Sequence, residues 1–193
     1  MLVPGIAMPR FTMCALQNRL EQDGYHVWNK GIISHTRPVA ESAIALGRAI
    51  SDCLKEDAKP VHFVTHSMGA LLVRAYFQNN GTNDIGRAVM LGPPNRGSEM
   101  VDRIRDYWWY RLIYGPAGQE MSTSVFSTAN QLGPIGLEVG VIAGLRDTRV
   151  SIAHAQLKEM RDFVAIDATH TALPYSREVY EQIVAFLRNG QFD

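Results

Sequence analysis

The chain has 193 residues, 46% of them apolar and 20% charged, which suits one well-packed domain and is short for two. Nineteen Lys and Arg balance nineteen Asp and Glu, so no net field draws the chain to nucleic acid or to an anionic membrane. No apolar run approaches the roughly 20 residues of a membrane span, and two cysteines with six scattered histidines make no paired metal-ligand pattern.

Residues 1–3 read as a short strand running into the turn at Pro4 and Gly5. No basic flank precedes an apolar stretch there, so a signal peptide is not expected and the location predicted is cytoplasmic; a removed leader would leave no trace. Apolar residues three and four apart predict helices over 11–22, 39–55, 68–78 and 178–188. Between them lie short β-branched or aromatic runs at 25–28, 61–65, 88–91, 139–143 and 163–166, giving about six strands with the first. Cys14 and Cys53 both fall in the predicted helices, as reduced and part-buried thiols.

Strands alternating with helices predict an α/β fold, a mostly parallel sheet with helices on both faces. The rhythm breaks between Gly97 and Leu137, where Tyr107, Trp108, Trp109, Tyr110 and Tyr114 crowd together without a strand. This stretch, about 97–137, is expected to be one or two helices forming a cap between the fourth and fifth predicted strands. No linker divides the chain, so residues 1–193 are expected to form a single domain. Pro93, Pro94 and Asn95 predict the turn into the cap, with Ser98 capping a helix whose first turn holds Glu99 and Asp102.

The chemistry concentrates at V-H-F-V-T-H-S-M-G, residues 61–69, followed at once by the helical run A-L-L-V-R-A-Y-F. A strand, a tight turn bearing a serine, then a helix is the setting of a nucleophile. Strand and helix nearly touch there, so the positions two before and two after Ser67 must be small. Gly69 meets the requirement; Thr65 is β-branched and meets it less well. Ser67 projects above the carboxyl end of the sheet, where a crevice accepts substrate. The N–H of Met68, at the start of the helix, points to the same place and can stabilise an oxyanion. The plainer alternative is a serine serving only as helix N-cap. A second oxyanion donor is expected after the first strand, where Ile6 follows Pro4 and Gly5.

A serine hydroxyl needs a base. His62 is expected to pack inside its strand, and His66 to point away from the hydroxyl. His26 and His35 lie far upstream, and His154 comes just after the candidate acid. His170 follows the last strand and precedes the last helix, the place for the base. Asp147, at the carboxyl end of strand 139–143, is the candidate acid that orients it. Asp167, three residues before His170, competes, with the alternative role of holding the histidine loop; Asp162 and Glu138 are weaker candidates.

The segment around Ser67 resembles the nucleophile elbow of bacterial lipases and esterases of the α/β-hydrolase superfamily. M-L-G-P-P-N-R-G-S-E (90–99), V-I-A-G (141–144) and D-A-T-H-T with F-L-R-N-G-Q-F (167–171 and 186–192) resemble the same branch, so the likeness runs almost the length of the chain. The resemblance implies an α/β-hydrolase fold with a minimal sheet. It further implies carboxylic ester hydrolysis through Ser67, His170 and Asp147 by an acyl-enzyme, without cofactor or metal. The implied partner is a small-molecule ester or lipid, with no nucleic acid and no stable membrane insertion. The chain departs from the branch at Thr65, where glycine is commoner, at Pro4, where histidine is usual, and at Thr148, where glycine usually follows the acid. The same triad would also serve an amidase, thioesterase or acyltransferase, and the fold without catalysis a binding module. The aromatic cluster has two readings: it is the cap's own core, or Trp108 and Trp109 line an acyl pocket.

Overall fold

In the computed structural model, which describes residues 1–31, 36–56 and 60–193, five parallel strands form one sheet in chain order. They are β1 (Leu2–Val3), β2 (Val61–His66), β3 (Ile85–Leu91), β4 (Val139–Gly144) and β5 (Asp162–Ile166). Each pairs in parallel with the next, so every connection must cross from one end of the sheet to the other. Helices make these crossings and bury both faces, and β4 accordingly is buried along its whole length.

Side chains along a strand alternate between faces, and the two cores follow that period. Val3, Val61, Phe63, Met90, Val139 and Val141 face α2 (Val39–Lys55), α3 (Gly69–Phe77) and α7 (Ile152–Ala155). Leu2, Val64, Val89, Leu91, Ile142 and Ile166 face α1 (Cys14–Gln22) and α8 (Arg177–Asn189). The predicted helix beginning at residue 11 starts instead as a 3₁₀ turn, Arg10–Met13, that leads into α1.

One predicted strand is corrected. Residues 25–28 form no ladder; the Leu2 N–H donates to the Trp28 carbonyl (2.9 Å), and no other rung follows. The physical reason is the brevity of β1, whose two residues offer an edge too short for pairing to propagate. Trp28 is still buried, with the Lys30 ammonium 3.7 Å from its ring centroid.

Between β3 and β4 the chain forms three helices where one or two were expected: α4 (Glu99–Ile104), α5 (Trp108–Gln119) and α6 (Thr128–Gln131). Ser98 caps α4 by accepting from the Val101 N–H, with Glu99 and Asp102 in the first turn as predicted. Within α5 Gly115, at φ +53°, breaks the spiral and Pro116 restarts it. Arg74 of α3 is buried and ties this insertion to the sheet, donating to the carbonyls of Asn95, Ala129 and Leu132. Glu120 does the same for α2, accepting the Val39 N–H at 2.6 Å. Cys14 and Cys53 are both free thiols. Among the described residues no helix is long and apolar enough to cross a membrane.

Candidate active site

Two residues, Ser67 and Met68, separate the end of β2 from the start of α3. So abrupt a reversal puts Ser67 at φ +52°, a region that a residue with a Cβ rarely occupies. Its N–H still extends the sheet, donating to the Leu91 carbonyl at 2.8 Å. The close approach expected of the neighbouring position is present: a Cβ on Gly69 would lie 2.4 Å from the Val3 carbonyl oxygen. Thr65 is accommodated at the other position, fully buried, but its hydroxyl finds no partner among the described residues.

The loop after β1 presses on the serine. A Cβ on Gly5 would stand 3.2 Å from the Ser67 Cβ, and the turn closes from the Met8 N–H to the Gly5 carbonyl (3.2 Å) with Ala7 at φ +53°. Ile6 lines the same cleft as Ser67. The N–H groups of Ile6 and Met68 donate to no other described residue, which leaves both open to a ligand.

His170 also lines that cleft, and its Nδ1 lies 2.6 Å from Asp147 Oδ2. Both side chains are withdrawn from water, 5% and 1% exposed. Asp147 Oδ1 accepts the N–H groups of Arg149 (2.8 Å) and Val150 (2.9 Å). Burial alone would raise the Asp147 carboxyl, but the His170 hydrogen bond and charge with these two N–H groups hold it below the ordinary aspartate value. Gly92, at φ +53°, leaves room beneath the pair; a Cβ there would reach within 3.1 Å of His170 Nδ1 and 3.2 Å of Asp147 Oδ2.

The competing residues lie elsewhere. Asp167 faces solvent and pairs with Arg146 at 2.6 Å. Glu138 pairs with Arg87 and Arg161, and Asp162 accepts the Phe192 N–H. His62 accepts the Arg87 N–H, His154 meets Glu99 and Ser151, and His26 reaches Glu56 at the surface. His35 lies outside the described residues.

His66 was expected to point away from the Ser67 hydroxyl, and among the described residues no hydrogen bond joins the two; it packs against His170. Its ring lies 4.8 Å from that of His170, and its Nε2 is 3.0 Å from the His170 carbonyl oxygen. Complete burial and the neighbouring His170 hold its pKa down to about 3, so the ring is neutral and its Nε2–H donates to that carbonyl. The signal for this was the period of two along β2: His66 shares the face of Val64, toward the α8 side where His170 sits.

The cleft, about 370 Å³ including its mouth, is walled by Met100, Val101, Tyr110 and Tyr114. The predicted pocket residues Trp108 and Trp109 are not among its lining; they are 75% and 37% exposed on the outside of α5. Tyr110 and Tyr114, four residues apart, share the inward face of α5, and the Tyr110 hydroxyl is spent on the Gly118 carbonyl. Among the described residues no cluster of His, Cys, Asp or Glu could hold a metal ion.

No protein-family model matches the chain, and no curated protein sequence does. Solved structures do. A mature lipase of Bacillus licheniformis superposes with a TM-score of 0.77 over 98% of this chain and 90% of its own, at 14% identity. A monoacylglycerol lipase of Paleococcus ferrophilus gives 0.65 over 98% and 93%, at 18% identity. A lipase-esterase related protein of Clostridium acetobutylicum gives 0.67 over 96% and 92%, at 15% identity. The chain is similar to these in backbone path, and it has the α/β-hydrolase fold.

Proposed function

We propose that the chain is a serine hydrolase that cleaves carboxylic esters. The observation that carries the reading is the buried Asp147–His170 pair, whose histidine lines one cleft with a serine at φ +52° on a strand–turn–helix. Ser67 Oγ attacks the ester carbonyl carbon while His170 Nε2, the nitrogen not engaged by Asp147, takes its proton. The N–H groups of Met68 and Ile6 bind the oxyanion, helped by the positive end of α3. The C–O bond to the alcohol then breaks, His170 returns the proton to the leaving oxygen, and the acyl group stays on Ser67. Water, deprotonated by His170, attacks this acyl-enzyme and releases the acid. Asp147 remains ionised throughout and fixes the imidazole.

Residues 97–137 are, in this reading, the cap of a single hydrolase domain, and Tyr110 and Tyr114 its contribution to the acyl-binding wall. The lipase and monoacylglycerol lipase names of similar structures support an ester or lipid substrate. The test uses a fluorophosphonate probe and p-nitrophenyl esters of rising chain length beside matched amides and thioesters. The folded protein is expected to be labelled at Ser67 and to hydrolyse the esters fastest. Ser67→Ala should lose labelling and about 10³-fold or more in kcat. Absence of label on the folded wild type, or retained turnover in the variant, overturns the reading; faster turnover of amides or thioesters moves the substrate class.

A further inference from the structure

One charged group of the cleft takes no part in this chemistry. Arg149 lines the cleft beside Ser67 and His170, two residues beyond Asp147. Its backbone is pinned on both sides: the N–H goes to Asp147 Oδ1, and the carbonyl accepts the Ser98 hydroxyl. Both bonds fix the point from which the side chain departs.

The guanidinium, by contrast, makes no hydrogen bond or ion pair with any described residue. Arg10, Arg37, Arg48, Arg96, Arg103 and Arg105 likewise have no side-chain partner among the described residues, but none of them lines the cleft; elsewhere the charge is met. Arg74 is spent on carbonyls, and Arg87, Arg146, Arg161 and Arg177 each meet a carboxylate. A guanidinium stays charged at every relevant pH and carries five donors in a planar fork. Arg149 is half-buried, so part of its hydration is lost with no protein acceptor in exchange. The walls around it, Met100, Val101, Tyr114, Met121 and Val150, offer no carboxylate. Asp147, the nearest acid in sequence, has both oxygens engaged. A residue that lines the cleft with the serine thus carries a positive charge that has no counter-charge among the described residues.

We propose that a bound substrate supplies it: Arg149 is a specificity residue, and the substrates are esters that carry an anionic group, a carboxylate or a phosphate. The assignment rests on the hydrolase reading of Ser67. The fork binds either oxyanion in bidentate fashion, and the apolar walls take the chain that joins it to the ester. Because the anion is not at the reacting carbon, its binding is felt equally in ground and transition states. The effect falls on KM more than on kcat.

The test has a kinetic and a binding arm. The first compares p-nitrophenyl butyrate with a p-nitrophenyl ester ending in a free carboxylate, and with a butyrate ester whose alcohol bears a phosphate. The wild type is expected to favour at least one anionic ester about tenfold or more in kcat/KM, and the larger ratio names the anion. Arg149→Gln should collapse that ratio toward one through KM, and Arg149→Lys should keep part of it. The second arm measures calorimetric binding of butyrate and butylphosphonate to the wild type, Ser67→Ala and Arg149→Gln. Binding by the first two, weakened about tenfold or more in the third, supports the proposal without any turnover. Equal treatment of neutral and anionic esters, a ratio unchanged in Arg149→Gln, or no anion binding to Ser67→Ala overturns it. Anion binding that depends on Arg149 in a protein that no probe labels would leave the anion site standing and sink the hydrolase reading instead.

Discussion

A carboxylate that is to stabilise an imidazolium must stay ionised where water is excluded, which requires donors other than the imidazole. Asp147 has them in the N–H groups of Arg149 and Val150, two and three residues on, a local turn that ionises a carboxylate at a buried site. Asp167 faces solvent beside Arg146, and its carboxylate accepts no backbone N–H from the described residues. Asp147→Asn is expected to lower kcat for ester hydrolysis by about 10³–10⁴-fold, because the neutral amide favours the wrong tautomer of His170. Asp167→Asn should change it by less than about threefold; parity between the two variants would reverse the assignment. In the sequence the two aspartates are equivalent in type and both close a strand. Burial separates them, and burial is not a local property.

At the scale of elements, the β2–turn–α3 unit was legible because its constraint is steric and local. A serine at positive φ needs a small residue after it where the helix crosses β1, and Gly69 stands there with no room for a methyl. Gly69→Ala is expected to destabilise the fold by about 1–3 kcal/mol, a fall in Tm of several degrees, since a Cβ would have to displace the backbone of Val3 and Pro4. A thermal melt matching wild type would show that this contact is not tight. α5 is the opposite case. Its apolar residues surround the helix, so the pattern does not say which face turns inward. Tyr110 and Tyr114 point into the cleft, while Trp108 and Leu112, also four apart, stand in solvent.

Taken as a whole, the molecule holds a buried His66 and a half-buried His62 with lowered pKa values, and this sets its acid limit. His66 has its pKa held at about 3 by burial, and His62 is also lowered, by burial and by the charge of Arg87. Below the ordinary histidine value near 6.5 the unfolded chain takes up protons that the folded chain refuses. Stability is therefore present above pH 6.5 and lost as pH falls from there toward 3; the lowered Asp147 carboxyl works in the same direction at the acid end. For His66 alone the effect is on the order of 4 kcal/mol across that window. Urea midpoints are expected to fall steeply between pH 6.5 and 4, and His66→Phe to flatten the slope while lowering the midpoint at neutral pH. An unchanged slope in that variant would show that His66 does not carry the effect.

The sequence by itself determined the alternation of strands and helices, the strained turn at Ser67 and the place of His170 after the last strand. Each of these rests on a period or a steric rule that acts within a few residues. The tertiary structure decided the rest. It chose five paired strands, because β1 is too short to extend the sheet to residues 25–28. It brought Asp147 rather than Asp167 to His170, turned His66 onto His170 and set Tyr110 rather than Trp108 in the cleft. Those outcomes depend on which surfaces of distant elements meet and exclude water, and only the assembled fold contains that information.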